Sequence, residues 1–336
     1  MVDRVVLVSP RGFCAGVVRA IATVEHALAA HPPPVYVRRA IVHNAHVVAR
    51  LSAAGARFVD ELDEVPVGGV VVFSAHGVAP AVHEQAATRG LLVVDATCPL
   101  VAKVHQEVRR FSDLGYDVLL IGQAGHDEVI GTLGQAPNVR LIEPGSDVSS
   151  LVVNDPARVA CVTQTTLSPQ DVAPVIDQLR QRFPALARPG ASDICYATRN
   201  RQAAITWVAR KVDVVLVVGD RASSNSRRLR QVASTTGTPA FLIASLAQLQ
   251  DRWLMDATVV GVSAGASTPD GVVSDVVSYL CRQGAILQEE VFLEERVSFG
   301  LPADVTPRRA QPARAPRRSK RAAAQVTAVS SPSACR

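Results

Sequence analysis

From Val5 to about Arg282 the chain alternates short β-branched apolar runs with stretches of helical period. Runs such as RVVLVS, VYVRRAIV, GVVVFSA, LLVVDAT, DVLLIG, VRLIE, VACVTQ, VVLVVG, AFLIA and TVVGVSA are mostly apolar and lack a strict polar/apolar alternation. Strands of that kind are buried on both faces, which is the mark of parallel sheets covered by crossover helices. The chain is therefore expected to be α/β.

The polar loops between these elements recur in an ordered way. Cys14 lies where the first apolar run gives way to a helix, and one helix and one strand later the chain reaches His43 in IVHN, then His76 in SAHG. Cys98 in DATCPLV leads in the same way to His126 and Glu128 in GHDE and to Thr165 in TQTTLS. From Cys195 in DICYATRN the chain reaches Ser223, Ser224 and Asn225 in SSNS, then Ser267 in AGAS. Cys14 to His43, Cys98 to His126 and Cys195 to Ser223 span 29, 28 and 28 residues; the following steps, to His76, Thr165 and Ser267, span 33, 39 and 44.

Regular βα alternation brings any loop residue back at such intervals. The weight rests on three cysteines in equivalent places, each opening a helix. We therefore expect three similar parallel-sheet domains, each of about a hundred residues, covering 1–97 with the N-terminal strand, 98–194 and 195–300. Ligands of parallel sheets bind beyond the carboxyl ends of the strands. A pseudo-threefold trefoil of the three domains would bring those loops, and Cys14, Cys98 and Cys195, to one central cavity.

Composition excludes several other classes. The longest apolar runs, such as Val214–Val218, fall far short of the ~20 residues that cross a bilayer. The N-terminus turns polar too early for an export signal, so a cytoplasmic protein without a membrane span is expected. Six cysteines in such a chain are thiols or ligands and not a disulfide framework. Cys161 within a strand, Cys281 near a helix end and Cys335 near the C-terminus read as structural. The net charge of +5 is concentrated in residues 301–336, where eight basic residues face one acid, Asp304. That Pro/Ala/Arg-rich stretch reads as a disordered tail. Its contacts with nucleic acid would be non-specific, and the rest of the chain carries no basic stripe.

A helix N-terminus favours a thiolate, and Pro99 suits the first position of the helix behind Cys98. Gly12 and Gly16 allow a tight turn and a close approach around Cys14. Three converging thiolates suit zinc or a [4Fe-4S] cluster with one open iron; the absence of CxxC pairs favours the cluster. Around them the three histidines, the serines, Thr165 and Asn225 suit an anionic phosphate or diphosphate, with arginines absent from the loop tips apart from neighbours such as Arg221. His26, His31, His46, His83 and His105 fall on helices and read as structural or solvated. Glu128, in a helix's first turn, is either a carboxylate favoured by the helix dipole or a proton donor.

Together PRGFCAGV, VHN, FSAHGV, DATCPLV, AGHDEV, TQTTLS, DICYAT-x-NRQ, SSNS and AGAS, in this order from about residue 5 to 298, resemble the 4-hydroxy-3-methylbut-2-enyl diphosphate reductase family. The resemblance implies a trefoil of three α/β domains around a [4Fe-4S] cluster. It also implies reduction of the allylic diphosphate to isopentenyl and dimethylallyl diphosphates, with loss of water and electrons from a ferredoxin- or flavodoxin-type donor. Carried over by motif, Cys14, Cys98 and Cys195 match the cluster ligands. His43, His76, His126, Ser223, Ser224, Asn225 and Ser267 match the diphosphate pocket, and Glu128 and Thr165 match the pair that handles the substrate hydroxyl and proton. Two positions depart from the family pattern. Asp127 replaces a common proline and would raise the pKa of Glu128 if the two faced each other, and Arg199 replaces a smaller polar residue. A redox-silent dehydratase of a phosphorylated small molecule is the alternative enzyme.

Overall fold

The computed structural model describes residues 2–303. The basic segment from Asp304 onward, expected as a disordered tail, and Cys335 lie outside the described residues.

The chain opens with β1 (Arg4–Ser9) and α1 (Ala15–Ala30), followed by β2 (Val35–Arg38), α2 (Ala45–Ala53), β3 (Ala56–Val59), β4 (Val70–Phe73), α3 (Pro80–Thr88) and β5 (Leu92–Asp95). Then come α4 (Pro99–Asp113), β6 (Asp117–Ile121), α5 (Asp127–Leu133), β7 (Val139–Ile142), β8 (Val159–Thr163) and α6 (Pro169–Arg182). The last part holds α7 (Tyr196–Ala209), β9 (Val214–Val218), α8 (Ser224–Ser234), β10 (Ala240–Ile243), β11 (Val259–Ala264), α9 (Asp270–Arg282) and β12 (Ile286–Val291). These strands form three sheets, ordered β3-β2-β4-β5, β7-β6-β8 and β10-β9-β11-β1-β12, and every registered pair is parallel.

Successive residues of a strand point to opposite faces, and both faces of each sheet are covered. Val35 and Val37 pack with Ala20, Ile21 and Val24 of α1, while Tyr36, Val71 and Phe73 pack on the other side with Ala86 of α3. In the second sheet Leu119, Ile121 and Cys161 face α6, and Val118 and Leu120 face α4. In the third, Leu216 and Val262 face α9, whereas Val215 and Val217 meet α7 and α8. Double coverage is why these strands read as unbroken apolar runs. Cys161 is a buried strand residue and Cys281 lies near the end of α9, as expected.

Two corrections concern strands. Strand β1, expected with the first unit, instead pairs between β11 and β12, so both ends of the described chain build the third sheet. Strands β3 and β12 are not among the apolar runs that mark strands in the sequence, and both lie at sheet edges. An edge strand has no need of a continuous apolar run, and Gln288, Glu289 and Glu290 give β12 the look of a loop. Among the described residues no helix is long and apolar enough to cross a membrane.

Candidate active site

Cys14, Cys98 and Cys195 are the N-cap residues of α1, α4 and α7. Their placement repeats at the level of single hydrogen bonds. Cys14 N–H donates to Ala266 O at 3.1 Å, Cys98 N–H to Ala75 O at 3.0 Å, and Cys195 N–H to Thr165 O at 3.0 Å. Each acceptor lies two residues beyond a strand, β11, β4 or β8 in turn. Likewise His43, His126 and Ser223 each lie five residues beyond β2, β6 and β9.

One cavity is lined by all three cysteines together with His43, His76, His126, Glu128, Thr165, Ser223, Ser224, Asn225 and Ser267. Every site residue expected from the sequence is thus brought to one place. The hydrogen-bond register adds a residue: Thr166, not Thr165, is the counterpart of His76 and Ser267. Its hydroxyl donates to Ser224 Oγ at 3.4 Å, and it also lines the cavity.

Cys14 and Cys98 bring their sulfurs to one point beside α1 and Cys195 lines the same cavity, a set of thiols whose chemistry fits a shared metal group. A Cβ added at Gly16 would stand 2.7 Å from Cys98 Sγ and 3.8 Å from Cys14 Sγ, so both sulfurs crowd a point that only glycine leaves open. Two of the three thiols, Cys98 and Cys195, are raised where a thiolate is expected. Burial pushes the Cys98 thiol up to about 11, against hydrogen bonds from the backbone of Leu100 and Val101, and the Cys195 thiol up to about 12. Cys195 donates its S–H to Thr198 Oγ1 at 3.1 Å and accepts from Thr198 N–H at 3.3 Å. The helix termini do not by themselves offset the desolvation of these sulfurs. A bound cationic centre that takes the place of the protons would hold them as thiolates.

Glu128 is buried in the first turn of α5. Thr165 N–H donates to its Oε1 at 2.6 Å and the Thr165 hydroxyl to its Oε2 at 2.9 Å. Burial nonetheless raises the Glu128 pKa to about 7, the Thr165 hydrogen bonds opposing and Asp193 adding to the rise. Asp127, expected to raise it if the two carboxylates faced each other, turns instead to Arg39, His43 and His76.

The histidines form a cluster, with His43 and His76 stacked at 4.2 Å between ring centroids and His126 edge-on to both at 5.2 and 5.6 Å. Burial lowers all three pKa values, that of His126 to about 4. His126 Nδ1 accepts Glu128 N–H at 3.1 Å, which leaves the proton of the neutral ring on Nε2. Asn225 Oδ1 accepts Ala266 N–H at 2.8 Å, while its Nδ2 is a buried donor without a partner. Ser224 Oγ donates to Gln123 Oε1 at 3.0 Å and Ser267 Oγ to the His43 carbonyl at 3.1 Å. Imidazoles, hydroxyls and the unspent Asn225 amide thus line one wall of the cavity, a set of polar groups whose chemistry suits an anion.

The model of the LytB protein family matches residues 5–281. The chain belongs to the LytB family. A LytB relative from Acidothermus cellulolyticus, named 4-hydroxy-3-methylbut-2-enyl diphosphate reductase, is 51% identical over 305 residues, covering 90% of each chain. One of the same name from Aromatoleum aromaticum is 52% identical over 303 residues, covering 90% of this chain and 97% of its own. The solved E-1-hydroxy-2-methyl-but-2-enyl-4-diphosphate reductase of Plasmodium falciparum superposes with a TM-score of 0.87 at 37% identity, covering 91% of this chain and 97% of its own.

Other residues of this LytB chain support the site without having stood out in the sequence. Arg201, fully buried in α7, donates to the Gly12 carbonyl at 2.9 Å and pairs with Glu295 at 3.0 Å. It thereby ties the Cys14 loop, where Gly12 has φ +63°, to the segment after β12. Tyr196 Oη accepts Ala15 N–H at 3.4 Å beside Cys14. Arg199, by contrast, is exposed on α7 and does not line the cavity.

Proposed function

We propose that the protein reduces (E)-4-hydroxy-3-methylbut-2-enyl diphosphate to isopentenyl and dimethylallyl diphosphates, consuming two electrons and two protons and releasing water. The observation that carries this reading is the buried Glu128–Thr165 pair, which lines the same cavity as three cysteine N-caps and a donor-rich anion pocket. Cys14, Cys98 and Cys195 would hold a [4Fe-4S] cluster with one open iron. When bound, the cluster supplies electrons and a Lewis acid for the substrate hydroxyl.

The chain's own residues bind the substrate and move the proton. His43, His76, His126, Ser223, Ser224, Asn225 and Ser267 hold the diphosphate by hydrogen bonds. The high pKa of Glu128 keeps a share of it protonated near neutral pH, as a general acid requires. Protonation reverses the Oε2–Oγ1 hydrogen bond, so that Glu128 donates to Thr165 and the threonine hydroxyl is free to donate to the leaving oxygen. A second proton is needed for the product carbon, and the diphosphate of the substrate would relay it. The same reading locates the protein in the cytoplasm, with a ferredoxin- or flavodoxin-type carrier delivering electrons.

The test is anaerobic purification with iron and sulfide analysis, followed by a reductant-driven assay on the allylic diphosphate. Iron, sulfide and reductant-dependent formation of both isomers are expected. Zinc in place of iron, or an intact cluster that dehydrates a phosphorylated substrate without consuming electrons, would overturn the assignment.

A further inference from the structure

Beside the three histidines lies an ion pair with no task in the reaction described above. Arg39, one residue beyond β2, has φ +56° and is the only non-glycine among the described residues in the left-handed region, which disfavours a residue with a Cβ. Its N–H donates to Val59 O at 2.6 Å. The turn carries its guanidinium to Asp127, where Nη1 pairs with Oδ1, while Nη2 stands 3.5 Å from Glu61 Oε1. Asp127 opens α5 in the unit of the second sheet, and its other oxygen, Oδ2, lies 3.7 Å from His43 Nε2 and 3.9 Å from His76 Nδ1.

A carboxylate therefore faces two of the groups assigned to an anionic diphosphate. Left unpaired, it would repel that ligand, because like charges brought together in a partly buried site are costly. The side chains of Arg39 and Asp127 are both largely withdrawn from solvent, so salt and water screen them incompletely. His43, His76 and Asp127 are also close enough to share a divalent cation, with ligand atoms within 4.8 Å, but the guanidinium already supplies Asp127 with a positive partner.

We propose that Arg39 is a positioning residue for the diphosphate: its guanidinium neutralises Asp127 and turns the free carboxylate oxygen toward His43 and His76, so that the pocket admits a diphosphate. This role rests on the diphosphate reading of the site. It differs from that of a plain strap between two units. A strap is lost equally when either partner is removed, whereas a neutralising cation is dispensable once the anion it neutralises is gone.

The test uses the cluster-loaded protein, with inorganic diphosphate as the probe of binding and the KM and kcat of the allylic diphosphate as the second readout. Arg39→Ala is expected to weaken diphosphate binding by about tenfold or more and to raise KM in parallel, with kcat within about threefold of wild type. Arg39→Lys should restore binding to within about threefold of wild type. Asp127→Asn on the Arg39→Ala background should recover most of the loss. If the double variant binds as weakly as Arg39→Ala, or if the two single variants lose equally, the proposal fails. Should Arg39→Ala lose its iron, Arg39→Gln with and without Asp127→Asn decides by the same comparison. A wild-type protein that binds no diphosphate would overturn the proposed function itself, whereas wild-type binding that Arg39→Ala leaves unaltered overturns only this role.

Discussion

Asp127 and Glu128 are adjacent, both begin α5, and they end in opposite surroundings. Glu128 is buried against Thr165, meets only neutral donors at hydrogen-bond distance, and has its pKa raised to about 7 by loss of water. Asp127 meets a guanidinium from another unit and two imidazoles. The inner wall is thus arranged to hold a proton and the rim to balance a charge. Chemical type and chain position are nearly the same for the two carboxylates; what differs is which elements pack against each.

The largest expected effect falls on the inner wall. Glu128→Gln should lower kcat by about a hundredfold to ten-thousandfold with KM little altered, and turnover close to wild type in steady-state assays would remove Glu128 from proton transfer. Thr165→Val comes next, with kcat reduced by roughly tenfold to a hundredfold. It also carries a signed prediction: the Thr165 hydroxyl bond holds the Glu128 pKa down, so its loss should move the alkaline limb of the pH–rate profile upward, and a downward shift would contradict the relay.

A smaller effect is the wild-type pH dependence. Because the acid form is the active one, kcat should fall as pH rises through about 7. Stability should follow the same sign. The folded pKa of Glu128 lies above its ordinary 4.5, so its contribution is fully present below about 4.5 and is lost as pH rises through about 7. Denaturant titrations between pH 5 and 8 should show this slope in wild type and its absence in Glu128→Gln. Smallest of all, Asp127→Asn with Arg39 intact should lower KM by no more than about threefold; a large rise would mean that the rim needs its carboxylate and would erase the contrast between the two neighbours.

Much of the site was legible because it is built from local patterns. Strand, turn and helix start recur in sequence, and an N-cap cysteine needs nothing distant to be recognised as such. The equivalence of His43, His126 and Ser223 showed in their spacing, whereas that of His76, Thr166 and Ser267 did not, since loops of different length precede them. The strand ends and the Cys N–H bonds to Ala75, Thr165 and Ala266 align those positions. Edge strands β3 and β12 escaped because they lack the apolar run that marks a strand covered on both faces, and β1 was misplaced because sequence order does not state which sheet a strand joins.

The sequence by itself determined the alternation of strands and helices, the three helix-opening cysteines and the set of polar residues available at the loop tips, since each follows from side-chain periodicity and near-neighbour chemistry. Only the tertiary structure decided the charge states and the long-range pairings. The thiols of Cys98 and Cys195 are raised instead of lowered because burial outweighs the helix termini. Arg39 meets Asp127 across 88 residues of chain because two units place their loop tips at the same corner. Desolvation and electrostatic partnership depend on what packs around a group in space, and no local window of sequence contains that information.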